Sequence, residues 1–142
     1  MLDILYIEDN SDEADIFRRL MGLMTPSPSY LILPSGSQAI DYLLQQGSYQ
    51  GQSPRLPNLV LIDLKLPGHS GFEVIQQVRA SSRTRYLPLV VYSSSENPKD
   101  MRRAYDLGAN AYLIKPESYH QVSAMMQQAV DFWLKQSRSY VP

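Results

Sequence analysis

The chain has 142 residues, with Lys+Arg 13 against Asp+Glu 14 and a formal net charge of -1. That length suits one globular domain; 44% apolar residues can build a core, and the charge balance argues against a broad basic face for nucleic acid or an anionic membrane. With no cysteine there are no disulfides, zinc–thiolate sites or thiol nucleophiles. No apolar run approaches the ~20 residues of a membrane span, and the first residues read as a strand rather than a secretion signal, so a soluble cytoplasmic domain is expected.

Leu2 to Ile7 is a short apolar run that stops at Glu8-Asp9-Asn10. From Asp12 to Met24, Ile16, Leu20, Leu23 and Met24 recur at helical spacing until Thr25-Pro26-Ser27-Pro28 breaks the pattern. Tyr30 to Leu33 predicts a second strand, and Ser37 is placed to cap a helix carrying Ile40, Leu43 and Leu44. Gly47 to Pro57 reads as a surface loop. Leu59 to Ile62 is unalternated, as expected of a strand covered on both faces, and it ends at Asp63. Ser70-Gly71-Phe72-Glu73 matches a capping box, opening a helix through Val74, Ile75 and Val78. Leu89 to Tyr92 predicts a fourth strand ending at Ser93. Asn97-Pro98 starts the next helix and Gly108 closes it. Ala111 to Ile114 predicts the fifth strand, ending at Lys115-Pro116, and a last helix is expected from about Ser118 to Lys135.

Five strands alternating with five helices predict an α/β fold, a parallel sheet covered on both faces through right-handed crossovers. Sites in such sheets form beyond the carboxyl ends of the strands, which selects Glu8-Asp9, Asp63, Ser93 and Lys115. Three carboxylates gathered at one edge repel by roughly 3 kcal/mol per pair at ~5 Å and an effective dielectric near 20. A hard cation among them relieves that repulsion, and Mg²⁺ suits carboxylates, water and a backbone carbonyl. A carboxylate can also attack phosphorus to give an acyl phosphate, whose oxygens then need positive charge and donors. Lys115 and the Ser93 hydroxyl can supply both.

Glu8-Asp9, Asp63 with Pro67 four residues on, Ser93 and Lys115-Pro116 together resemble the signature of response-regulator receiver domains, over about Leu2 to Leu134. The resemblance implies a flavodoxin-like, doubly wound sheet of order 2-1-3-4-5. It implies that Mg²⁺ or Mn²⁺ is held by Glu8, Asp9, Asp63 and the backbone carbonyl of Lys65. Asp63 is then the phosphoacceptor from a sensor histidine kinase or a phosphotransfer protein, and Lys115 and Ser93 bind the phosphoryl oxygens. Tyr112 is the switch aromatic that follows Ser93, and the peptide before Pro116 is expected cis. Such a chain assists its own phosphotransfer and is not a metabolic enzyme. The loop before Leu59, the stretch Ala104 to Tyr112 and the Phe132-Trp133-Leu134 ending are similar to single-domain regulators paired with bacterial phytochrome-type kinases.

The rival readings fit less well. A haloacid-dehalogenase-type phosphatase carries a second Asp two residues after its nucleophile, where Lys65 stands here. A nucleotide or flavin module needs a phosphate-cradling loop where Glu8-Asp9-Asn10 would repel phosphate. A degenerate receiver lacks the acceptor or the lysine, and both are present. Single readings of these residues stay bland: His69 and His120 as surface, Tyr112 as core, Ser94 and Ser95 as rivals to Ser93. One receiver domain is expected over residues 1–142, with residues 135–142 as a tail too short for an effector, so output is expected through protein contacts. On the last helix Val122, Met126, Ala129 and Trp133 form one stripe, flanked by Val130 and Leu134 on one side and Met125 and Phe132 on the other. That wide arc predicts a homodimer through the fourth helix, fifth strand and fifth helix.

Overall fold

A continuous run of apolar residues cannot face water on either side, and the inner strands are built from such runs. In the computed structural model, which describes residues 2–52 and 55–140, β1 (Ile4–Ile7), β3 (Leu59–Ile62) and β4 (Leu89–Ser93) are buried at every position. The outer strands β2 (Tyr30–Leu33) and β5 (Ala111–Ile114) are mostly half-exposed. All pairs are parallel and the order is β2-β1-β3-β4-β5, the flavodoxin-like arrangement expected. Ser53 and Pro54 of the expected 47–57 loop lie outside the described residues, as do Val141 and Pro142 of the tail. That loop contains one 3₁₀ turn, Gly47–Tyr49.

Alternate side chains of the inner strands enter two cores. Leu5, Ile7, Val60, Ile62 and Val91 pack under α2 (Gly36–Leu44) and α3 (Gly71–Ala80). Ile4, Tyr6, Leu59, Leu61, Val90 and Tyr92 pack under α1 (Ser11–Leu23) and α5 (Tyr119–Val130). α4 (Pro98–Leu107) buries only Ala104, so it is the helix least held by the core.

Four local expectations change. Helix α2 is capped by Ser35, whose side chain accepts from Gln38 N–H, not by Ser37. The helix can start earlier because Gly36 lies against the 67–69 loop: a Cβ there would stand 1.7 Å from the His69 carbonyl oxygen. Helix α1 is rolled relative to the apolar periodicity. It buries Ala14, Phe17, Leu20 and Met21 while Leu23 is 72% exposed, because the Phe17 ring packs against Tyr6 and Tyr30 at 4.6 and 5.4 Å. The last helix is α-helical only to Val130 and continues as a wider π-type coil over Asp131–Gln136. The expected inner stripe still packs on the sheet: Met126 and Ala129 are buried, and Val122 and Trp133 partly so. The expected surplus resolves to one flank, since Leu134 and Met125 pack on the core and Phe132 is 53% exposed. The Lys115–Pro116 peptide is trans; among the described residues the cis peptide is Thr25–Pro26.

Candidate functional site

The parallel strands stop at the same edge of the sheet, so the residue after each emerges there with its backbone still held by the ladder. Asp63 N–H donates to the Ile7 carbonyl and Lys115 N–H to the Ser93 carbonyl, which fixes where both side chains begin. Gly71 lets α3 start directly over the end of β3: a Cβ there would lie 2.3 Å from the Asp63 carbonyl oxygen.

The Lys115 ammonium sits among three carboxylates. Nζ donates to Glu8 Oε1 at 2.6 Å, to Glu13 Oε2 at 2.7 Å and to Asp63 Oδ2 at 3.0 Å. An ammonium has three N–H donors, so all of them are engaged. The Lys115 and Glu8 side chains are nearly inaccessible, at 9% and 1%, whereas Glu13 is 38% exposed. Glu8 also accepts from the Tyr6 hydroxyl at 3.2 Å and the Asn10 N–H at 3.3 Å.

Burial sets the electrostatics. Desolvation pushes the Glu8 carboxyl up to about 8, helped by the bond to Glu13 and opposed by Lys115. For Glu13 desolvation also acts upward, but its bonds to Glu8 and Lys115 prevail and the net shift is down. Burial alone would lower Lys115; its bonds to Glu13 and Glu8 and the charge on Asp63 outweigh that and hold the ammonium charged. Tyr92, with the Lys115 ammonium 5.6 Å from its ring centroid, is pushed up to about 12, chiefly by burial.

Of the residues expected at this edge, the structure joins Glu8, Asp63 and Lys115 directly. Asp9 and Lys65 lie in the adjoining loops with exposed side chains. Ser93 is buried, and its hydroxyl oxygen accepts from Ser95 N–H at 3.1 Å. Tyr112 is half-buried and donates to the Ser95 carbonyl at 2.9 Å. Ser95 also donates through its own hydroxyl to Asp100 of α4 at 2.6 Å. Thus Ser93, Tyr112 and α4 all meet at Ser95, which a sequence reading can treat only as a neighbour of Ser93. His69 is surface, as expected, and bonds Glu73 at 2.6 Å; His120 is exposed.

The model of the family described as response regulator receiver domain matches residues 4–132. The chain belongs to this family. The receiver is 36% identical over 139 residues to the probable methanogenesis regulatory protein FilR2 of Methanothrix harundinacea, covering 98% of this chain and 88% of that one. It is 34% identical over 132 residues to response regulator Rcp1 of Synechocystis, covering 93% and 88%. The Mn²⁺-bound crystal structure of Rcp1 matches with a TM-score of 0.87 at 30% identity, over 100% of this chain and 99% of that one. That of RcpA, a phosphorylated cyanobacterial phytochrome response regulator, matches with 0.88 at 28%, over 98% and 99%. Among the described residues no helix of the receiver is long and apolar enough to cross a membrane.

Glu13 is the receiver's residue at this site that the sequence reading missed. A signal was present: Glu13 lies four residues before Phe17, on the edge of the stripe that α1 turns toward the sheet.

Proposed function

We propose that this receiver of a two-component response regulator is phosphorylated on Asp63 by a sensor histidine kinase or a phosphotransfer protein. The observation that carries the reading is the Asp63 carboxylate, at the end of a wholly buried strand and 3.0 Å from a buried ammonium. An Asp63 carboxylate oxygen attacks phosphorus, the donor's bond to phosphorus breaks, and its oxygen or nitrogen leaves with the electron pair. Lys115 is already within reach of the oxygens that gain charge, and the Ser93 hydroxyl, whose oxygen accepts from Ser95 N–H, still has its own O–H to donate to one of them.

The donor set fits a hard divalent cation, Mg²⁺ or Mn²⁺. Carboxylate oxygens of Glu8, Glu13 and Asp63 lie within 4.8 Å of one another, and the Lys115 ammonium stands among them as the positive charge they require. Glu8, Asp9, Asp63 and the Lys65 carbonyl would hold the ion. When bound, the cation draws negative charge off the phosphoryl oxygens.

We further propose that the chain acts as one receiver domain over residues 1–142, through protein contacts and without binding nucleic acid or membrane. The likeness to RcpA, a phytochrome response regulator, supports a phytochrome-type kinase as donor. The exposed Phe132 and half-exposed β5 support a homodimer through α4, β5 and α5. The decisive experiment is incubation with acetyl phosphate, with and without Mg²⁺, followed by intact mass. One phosphoryl group is expected only with Mg²⁺ and not on Asp63→Asn. Stoichiometric labelling of the Asn variant would remove Asp63 from the role.

A further inference from the structure

Lys115 cannot serve a phosphoryl group without first giving something up. Its three N–H donors are committed to Glu8, Glu13 and Asp63. The three bonds are not equally easy to break. Releasing Glu8 would leave a carboxyl that is 1% exposed, with only the Tyr6 hydroxyl and the Asn10 N–H as partners and no water to replace the ammonium. Asp63 supplies the oxygen that attacks phosphorus and stays beside the lysine. Glu13 is 38% exposed on the first turn of α1, so water can replace the ammonium there.

We infer that Glu13 is a positioning residue that restrains Lys115 in the unphosphorylated receiver and must release it for transfer to proceed. The inference rests on Asp63 being the phosphoacceptor. Two consequences follow from the same geometry. Before transfer, Glu13 competes for the ammonium that the phosphoryl oxygens need. After transfer, the freed Glu13 carboxylate faces a like-charged phosphoryl group and destabilises that state. Glu13 therefore slows loading.

Glu13→Gln keeps the backbone N–H bonded to Asn10 Oδ1 and so leaves the helix cap intact, while removing the competing charge. Glu13→Ala removes the acceptor altogether. The control is Asp12→Asn, which deletes an acid in the same first turn that makes no bond to Lys115. Each protein is labelled with acetyl phosphate at saturating Mg²⁺, after far-UV circular dichroism and a separately measured Mg²⁺ dissociation constant. Glu13→Gln should load about two- to fivefold faster than wild type, the span of a half-exposed ion pair. Glu13→Ala should be at least as fast, and Asp12→Asn should match wild type. Equal or slower loading of both Glu13 variants overturns the assignment, as does an Asp12→Asn acceleration as large as that of Glu13→Gln. A wild type that takes up no phosphoryl group overturns the Asp63 reading, and this one with it.

Discussion

Removing the charge of Asp63 has an effect on folding whose size depends on pH, and the geometry gives that dependence. In the metal-free protein Asp63 is attracted to Lys115 at 3.0 Å and repelled by Glu8 and Glu13, with oxygens within 4.8 Å. At an effective dielectric near 20 the attraction is about 5.5 kcal/mol and each repulsion, taken at 4.8 Å, about 3.5 kcal/mol. The Glu13 contribution is reduced by solvent because that side chain is 38% exposed. The Glu8 contribution exists only when Glu8 is ionised, and burial pushes its carboxyl up to about 8.

A glutamate with a raised folded value binds its proton more tightly folded than unfolded. It therefore costs stability as pH rises from the ordinary glutamate range to about 8. Asp63→Asn removes one of the charges that raise Glu8, so the cost shrinks. The stability of Asp63→Asn relative to wild type should accordingly improve between pH 6 and pH 9, by about 1–3 kcal/mol, the Glu8–Asp63 repulsion being its ceiling. At pH 6, with Glu8 largely protonated, the lost attraction to Lys115 dominates and the variant should be no more stable than wild type. Urea unfolding of both proteins in EDTA at the two pH values measures this. A stability difference that is the same at pH 6 and pH 9 would refute the placement of Glu8 beside Asp63 as an interacting pair.

Four other substitutions test separate parts of the molecule. Gly71→Ala puts a methyl where two backbone atoms stand, 2.3 Å from the Asp63 carbonyl oxygen and 2.8 Å from the Leu64 Cα, so α3 or the loop after β3 must shift. A loss of about 1–3 kcal/mol in urea unfolding and slower acetyl phosphate labelling are expected; wild-type stability would show that the contact yields freely. Lys65 lies two residues past Asp63 with an exposed side chain, and its ammonium can pair with the acyl phosphate and hinder attack by water. Lys65→Ala should then lose its label faster, and an unchanged decay rate would count against that pairing. Phe132→Glu should shift the particle toward monomer in sedimentation without touching phosphorylation, since Phe132 is 53% exposed, while Leu134→Glu should cost stability because Leu134 packs on the core. A wild type that sediments as a monomer at high micromolar concentration, with and without phosphodonor, would end the dimer.

Much of the architecture is legible along the chain because it is written in short-range patterns. Unbroken apolar runs mark β1, β3 and β4, and the capping box at Ser70 and the Asn97-Pro98 start with its Gly108 stop delimit α3 and α4. These signals act within a few residues, as do the strand ends that mark Glu8, Asp63, Ser93 and Lys115. What the tertiary structure alone decided is how those ends share their partners. Glu13 is 102 residues from Lys115, and its place at the ammonium depends on how α1 rolls over the sheet. That roll follows from seating Phe17 against Tyr6 and Tyr30; helical spacing fits both the stripe with Phe17 and Met21 and the one with Leu23, and only this contact chooses between them. The start of α2 was likewise settled at a distance, by the 67–69 loop leaving room at Gly36 only for hydrogen. Ser93, Tyr112 and Asp100 meet at Ser95 because β4, β5 and α4 converge on one loop, and such a hydrogen-bond network exists only once the three elements have packed.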